Sequence, residues 1–289
     1  MLKLRTSIEQ LAAKTREGKQ QQVLFVVPPN NKCSGPLYEL VFMMETWLRR
    51  EGLREQVALT YATYEKGYIQ AFGPRLNETV EKEFQERGIA GYRQWVVAAI
   101  EPGRAHSTDG SSLFCDLLIS FPPYVASTTF EALPHDDRGF LQTDPKSRQV
   151  SGFPDIYAIG DTGDFPVKQA FLALLQADAA AEHLSERLLG VPPEAEFDPV
   201  SMCIMEQFDR ATFAQVPLRT TGDPALPVVV REEALEEYKV GTGEIWRVGK
   251  KLLGTILPYR FREGLPFHAG TTWATMELGL KAMARVFAH

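Results

Sequence analysis

The chain has 289 residues, 44% of them apolar and 24% charged, with a formal net charge of −6. At about 100 to 200 residues per domain this is one large or two modest domains with a hydrophobic core, and the composition is that of an ordinary soluble globular protein. Net acidity argues against a nucleic-acid partner, since phosphate neutralisation needs clustered Lys and Arg.

No run of eighteen apolar residues offers a spanning helix, so any membrane contact is expected to be peripheral. The first ten residues hold no apolar stretch followed by a small-residue cleavage site, and the expected compartment is the cytoplasm. The charge is uneven: residues 241–289 carry seven Lys or Arg against three Glu. A basic end on an acidic body suits an anionic membrane leaflet or a partner, and equally a solvated helix face.

In chain order, Ile8, Leu11 and Ala12 have helical spacing up to a stop at Gly18, and Val23–Val27 reads as a strand closed by Pro28-Pro29. A loop over 30–36 precedes a helix from about Leu37 to Arg50, and Val57–Tyr61 reads as the next strand. This β-loop-helix-β order is doubly wound α/β grammar. A helix over Asn77–Arg87 follows, then strands over Tyr92–Ala99 and Leu113–Ser120, the latter burying Cys115 as a small hydrophobe. After a loop-rich stretch, a buried strand at Ile156–Ile159 turns at Gly160-Asp161 into an Ala- and Leu-rich helix from about Lys168 to Leu189. Beyond Gly190 the Pro-rich composition marks a boundary into a smaller, less regular domain ending in two amphipathic helices, 245–257 and 271–287.

The turn at Gly160-Asp161 is the first chemical signal. Glycine there lets backbone approach a ligand, the aspartate can accept bonds from ribose or ribityl hydroxyls, and the next helix offers its positive end to an anion. Alone, the dipeptide reads as an ordinary turn. Together with Gly139-Phe140-Leu141-Gln142-Thr143-Asp144 before it, and Lys168-Gln169-Ala170 and Gln176-Ala177-Asp178 after it, the stretch resembles the second FAD-contacting segment of the pyridine nucleotide-disulfide oxidoreductase superfamily. That resemblance implies FAD as cofactor, with Gly160, Asp161, Lys168 and Gln169 at its site. It also implies a Rossmann-like domain over 1–130, the tail of an FAD-binding domain over 131–190 and a C-terminal domain over 191–289.

The first loop selects the branch. Where NADH-using members carry GxGxxG, this chain has Pro28-Pro29-Asn30-Asn31-Lys32-Cys33-Ser34-Gly35-Pro36, with one glycine. It resembles the Cys-Ala-Gly-Ala-Pro-type loop of sulfide:quinone oxidoreductases and flavocytochrome c sulfide dehydrogenases, whose cysteine is redox-active. Cys33 matches that position. Cys203, in Ser201-Met202-Cys203-Ile204, resembles the partner cysteine of those enzymes, although the sequence alone leaves Cys33 readable as a loop thiol and Cys203 as core. The implied chemistry is attack of hydrosulfide on a Cys33–Cys203 disulfide, leaving a persulfide and a thiolate, or of a small thiol, leaving a mixed disulfide and a thiolate, with two electrons passing through FAD to a quinone. Lys32 and Lys168 are cations that could favour the thiolate.

Trp246, Arg247, Lys250, Lys251, Tyr259, Arg260, Phe261, Trp273 and Phe287 combine basic and aromatic character as membrane-surface helices do, and equally as core or dimer contacts do. The family's first βαβ unit, which grips the FAD pyrophosphate, has no counterpart here. An incomplete chain, a partner polypeptide carrying that half, or a protein that has lost catalysis would each account for this, and a homo-oligomer is a further expected partner state. Without it, two other readings stand: a non-catalytic scaffold subunit of a membrane-associated complex, and an NADH-dependent flavin reductase.

Overall fold

The protein is described from a computed structural model covering residues 2–223, 226–260 and 271–289. Side chains at 2, 257–260, 271–274, 276 and 277 fall outside the description, so the expected interfacial side chains Tyr259, Arg260, Phe261 and Trp273 are not placed. The chain divides into two compact units, Met1–Pro123 with Met205–Ala211, and Tyr124–Ile204 with Thr212–His289.

Unit 1 opens with α1 (Leu2–Arg16), β1 (Gln21–Val27), α2 (Gly35–Arg50), β2 (Val57–Thr63), α3 (Gly73–Glu86) and β3 (Ile89–Tyr92). It continues with β4 (Val97–Glu101), β5 (Arg104–Ser107), β6 (Ser112–Phe114) and β7 (Leu117–Ser120). The strand order β3-β2-β1-β7 is parallel throughout, with Val23 opposite both Leu59 and Leu117. Leu24, Phe25, Val26 and Val27 are fully buried, as an unalternating β-branched and aromatic run in a covered parallel strand should be. Helix α2 buries Leu37, Tyr38, Val41, Phe42, Met44 and Leu48. Rings of Tyr38 and Tyr61 stack at 4.3 Å, with Phe84 of α3 5.4 Å from Tyr61. Each such side chain contributes about 1.5–3 kcal/mol through burial. The mixed α/β, Rossmann-like class expected from the sequence is therefore the one observed.

Two expected strands are each a pair. Tyr92–Ala99 breaks where Gln94 takes φ 55°, and β3 and β4 lie in different sheets. Leu113–Ser120 breaks at Cys115-Asp116: β6 runs antiparallel to β5, whereas β7 runs parallel to β1. The switch is made by Asp116, whose amide donates to the Gln22 carbonyl at 2.8 Å and whose Oδ2 accepts the Gln22 amide at 2.7 Å. An apolar run does not reveal a change of sheet. Cys115 is buried with Leu24, Val26 and Trp95, and burial, aided by neighbouring Asp116, raises its thiol pKa.

Unit 2 contains the short antiparallel pair β8 (Gln149–Val150) and β9 (Phe153–Tyr157), then α4 (Ala170–Leu188). The strand at 153–157 is more exposed than expected. Phe153, Ile156 and, just beyond it, Ile159 remain 38%, 37% and 41% accessible, because among the described strands β9 pairs with β8 alone.

The C-terminal region is also more regular than its prolines implied. Strands β10 (Val200–Glu206), β11 (Ala211–Thr220) and β12 (Val228–Val230) follow one another across a sheet, and β13 (Lys239–Gly243) pairs with β11. Pro217 and Pro227 fall within or beside these strands, and the alternative of a loop is overridden by burial of Phe213, Ala214, Val216 and Leu218. Helices α5 (Glu244–Arg260) and α6 (Thr271–Phe287) end the chain. Trp246 is not an interfacial residue: it is fully buried and stacked on Phe213 at 4.2 Å.

Candidate functional site

The site in unit 2 is built around the turn joining β9 to α4. Gly160 takes φ 62°, and a Cβ there would lie 3.1 Å from the Ala173 methyl of α4, so turn and helix pack at a distance only glycine permits. Its amide donates to Oε1 of buried Gln176 at 2.9 Å. Gly163 is held equally closely, since a Cβ would lie 2.8 Å from the Ala158 carbonyl and 3.0 Å from the Arg148 guanidinium. Between them Asp161 and Thr162 are exposed. A rigid two-glycine turn thus presents one carboxylate and one hydroxyl to the exterior. Gly160→Ala is expected to cost about 1–2 kcal/mol, through left-handed strain and the Ala173 contact, and is checked by thermal melting.

Buried side chains brace the turn from behind. Asp164 accepts the Thr143 hydroxyl at 2.6 Å and Arg148 at 3.3 Å. The Lys168 ammonium, expected at the site, is buried, donates to the Gly163 carbonyl and lies 4.2 Å from the centre of the Phe140 ring. Gln169 is the extended residue before α4 and accepts the Ser201 hydroxyl of β10 at 2.8 Å. Because side chains alternate along a strand, Cys203 shares the β10 face that Ser201 turns toward Gln169. It is half-buried. The first turn of α4 has no acidic residue and no side-chain cap, leaving its amides and partial positive charge for an anion.

Unit 1 places Cys33 in the loop leaving the carboxyl end of β1, which in a sheet of order β3-β2-β1-β7 is the point where the winding reverses. The Cys33 amide donates to Asn31 Oδ1 at 2.9 Å, and Ser34 stands at the N-cap position of α2 without a side-chain capping bond; the helix's first turn carries Pro36 and no acid. Cys33 is half-buried just before the N-terminus of α2. Lys32 beside it is half-buried. The structure thus gathers Gly160, Asp161, Lys168, Gln169 and the Cys203 strand in unit 2, and places Cys33 in unit 1.

Sequence reasoning missed Glu65, just beyond the carboxyl end of β2. In dinucleotide-binding units an acid in this region takes ribose hydroxyls. Here the carboxyl is buried and accepts Thr63 Oγ1 at 2.8 Å, the Gln70 amide at 3.0 Å and the Tyr38 hydroxyl at 3.4 Å. Burial pushes its pKa up to about 7, with these hydrogen bonds working the other way. An acid raised on folding weakens the fold as pH climbs from about 4.5 through about 7. Glu65→Gln is accordingly expected to stabilise by up to about 3 kcal/mol at pH 8 and to be near neutral at pH 4.5, as denaturant titrations at the two pH values would show.

A parallel Rossmann-like sheet in unit 1 and, in unit 2, a strand–turn–helix with an exposed Asp161 define a mixed α/β chain. Within that class the chain is similar to the sulfide:quinone oxidoreductase-like branch. It is 21% identical over 225 residues to the mitochondrial sulfide:quinone oxidoreductase of Dictyostelium discoideum, covering 74% of this chain and 49% of that protein. The sulfide:quinone oxidoreductase of Aquifex aeolicus superposes with a TM-score of 0.75 at 19% identity, over 94% of this chain and 65% of that one. A chain of the Tetrahymena thermophila mitochondrial ATP synthase superposes with a TM-score of 0.55 at 16% identity, covering 70% of this chain and 52% of its own length. No family model matches the chain. The chain spans about half the length of the curated relative.

Proposed function

We propose that this chain is the thiol-bearing part of an FAD-dependent sulfide:quinone oxidoreductase-type enzyme, with Cys33 and Cys203 as its redox pair. The observation that carries the reading is the Ser201–Gln169 hydrogen bond, which sets the Cys203 strand against the open N-terminus of α4 beside Gly160-Asp161. Hydrosulfide attacks one sulfur of the Cys33–Cys203 disulfide. The S–S bond breaks, a new one forms as a persulfide that keeps the hydrosulfide proton, and the electron pair leaves on the other sulfur as thiolate. The α2 N-terminus stabilises negative charge on Cys33.

The residues of unit 2 fit one edge of FAD. Gly160 gives backbone access, the exposed Asp161 accepts hydroxyls of the cofactor's side chain, and Lys168 and Gln169 stand where α4 opens. Bound FAD would supply a two-electron acceptor that hands the pair to a quinone. The pyrophosphate-gripping unit comes from outside these 289 residues, in further sequence of a longer protein or in a partner chain. The exposed apolar residues Phe153, Ile156 and Ile159 of the β9 region support that reading. Contact with the cytoplasmic face of a membrane would be made by α5, where Val248 and Leu252, one turn apart, are 62% and 59% exposed next to Lys251. Among the described residues no helix is long and apolar enough to cross a membrane.

The test is flavin absorbance of the full-length protein, or of this chain combined with the first half. Bleaching by sulfide and recovery with quinone are expected. Failure to take up FAD under those conditions would contradict the reading, and bleaching by NADH would favour a flavin reductase. The likeness to an ATP synthase chain favours one alternative, a scaffold subunit of a membrane complex. In that case Cys33→Ser and Cys203→Ser would leave function unchanged.

A further inference from the structure

Two arginines are buried among the described residues, and they are paired very differently. Arg87, just after α3 in unit 1, donates from Nε to Glu83 at 2.9 Å and from Nη1 to Glu45 at 2.6 Å and Thr46 at 2.9 Å. Its Nη2 donates to Gln207 at 2.8 Å and Asp209 at 2.9 Å, both in the segment Met205–Ala211 that returns to unit 1. Arg148 in unit 2 is 1% exposed, yet its bonds are long. Nη1 reaches the Asp144 carbonyl at 3.4 Å and Nη2 reaches Asp164 at 3.3 Å, against a usual length of about 2.9–3.0 Å. Its inaccessible Nε has no partner among the described residues. Burial lowers its pKa from the ordinary arginine value, with the charge and bond of Asp164 working the other way, and a guanidinium stays protonated at neutral pH. The other neighbours are rings: Cζ lies 5.7 Å from the centre of Phe197 and 6.0 Å from that of Phe165. The backbone at Arg148 takes φ 64°, which residues with a side chain rarely adopt. An underpaired cation on a strained backbone works against folding.

Its position supplies another reason for it. Arg148 touches the chain on both sides of the turn that carries Asp161. Before the turn, its carbonyl accepts the Ala158 amide at 3.0 Å. After it, the guanidinium packs on Gly163, where a Cβ would come within 3.0 Å of Nη2, and reaches Asp164, which the Thr143 hydroxyl holds at 2.6 Å. Asp161 and Thr162 are left to project between these contacts. The adjoining 260 Å³ cavity sets Asp164 and Asp223 against this one arginine, so it offers no net positive charge to an anion. It does leave the Asp164 side chain 36% exposed.

We propose that Arg148 is a positioning residue held at a cost in stability: by fixing Ala158, Gly163 and Asp164 it presents Asp161 in one orientation to the cofactor. The inference rests on the reading of Gly160-Asp161 as a cofactor contact given above. A planar fork suits the task, because it can lie against Gly163 while one nitrogen reaches Asp164, whereas a lysine ammonium has no fixed plane.

The test pairs thermal melting and amide exchange of the flavin-free protein with FAD affinity of the full-length protein, or of this chain combined with the first half. Arg148→Met is expected to melt at or above the wild-type temperature. An aliphatic side chain of similar length replaces an underpaired buried cation, and Asp164 keeps Thr143 and its exposure. The Ala158 and Gly160 amides, which donate to the carbonyl of residue 148 and to Gln176, should exchange roughly tenfold faster while those of β11 do not change. FAD affinity should fall by roughly the same factor, since the competent turn is then populated about a tenth of the time. Arg148→Lys, which keeps the charge without the fork, should lose roughly threefold on both readouts. A variant Arg148→Met that melts well below wild type, or does not fold, would overturn the proposal by making Arg148 an ordinary structural residue. Unchanged exchange and affinity in the folded variant would overturn it too. Wild-type protein that takes up no FAD would overturn the cofactor reading, and the role of Arg148 with it.

Discussion

Exchange of Cys33 for serine is expected to lower sulfide-dependent quinone reduction in the flavin-loaded, full-length protein by at least on the order of a thousandfold, the scale seen when a nucleophile acting as part of a unit is removed. A hydroxyl cannot form the disulfide that hydrosulfide opens, and it is not a thiolate at neutral pH. Cys203→Ser should do the same, and the double variant should be little worse than either single one, because in the proposed mechanism both sulfurs serve one bond. The setting of Cys33 before the N-terminus of α2 and that of Cys203 on the β10 face toward Gln169 make these losses chemical rather than structural. Both side chains are half-buried, so melting temperatures should barely move. Steady-state turnover and a thermal melt on the same samples separate the two effects. Cys115→Ser is the control: buried in the core of unit 1, it should alter stability and leave turnover per folded molecule unchanged.

Arg87→Met should produce the largest loss of stability among surface-distant substitutions in unit 1. Methionine fills part of the volume but removes the cation shared by Glu45, Glu83 and Asp209, leaving nearly inaccessible Glu45 with Arg49 at 3.2 Å and Glu83 with Arg210 at 2.8 Å as their nearest remaining cations. Removing one partner of a buried ionic cluster costs about 3–5 kcal/mol, a large share of a total that is about 5–15 kcal/mol. The cost should depend on pH. The pKa of Asp209 is held down to about 2 in the fold, so the stability it contributes is complete above about pH 4 and is lost as pH falls through about 2. The gap between wild type and Arg87→Met in denaturant titrations should therefore narrow at acid pH. Replacement of both Glu45 and Arg87 by apolar residues should recover part of the loss, since the uncompensated charge is what destabilises.

The parallel core was legible because its signals are local. The run Val23–Val27, the proline stop and the helical spacing of Leu37 to Leu48 each have one reading, and the strand–turn–helix around Gly160-Asp161 followed from the same logic. What was hidden depends on partners distant in sequence. The division of Leu113–Ser120 between two sheets turns on Asp116 meeting Gln22, and nothing near residue 116 announces that. Gln169 belongs to a recognisable motif, but its bond to Ser201 joins residues 32 positions apart. Arg87 read as the last residue of a helix, and the acids that surround it lie on two helices and a returning turn. Trp246 looked interfacial because an aromatic beside basic residues fits either a membrane surface or a core, and only the stacking on Phe213 decides between them.

The most direct test of the thiol chemistry is mass mapping of the oxidised protein before and after a brief pulse of hydrosulfide, with alkylation of free thiols. A tryptic cross-link between the Cys33 and Cys203 peptides should be present before the pulse. After it, one of the two cysteines should carry one added sulfur and the other should be alkylated. Recovery of both cysteines singly alkylated from the oxidised protein, with no cross-link and no added sulfur after the pulse, would contradict the assignment.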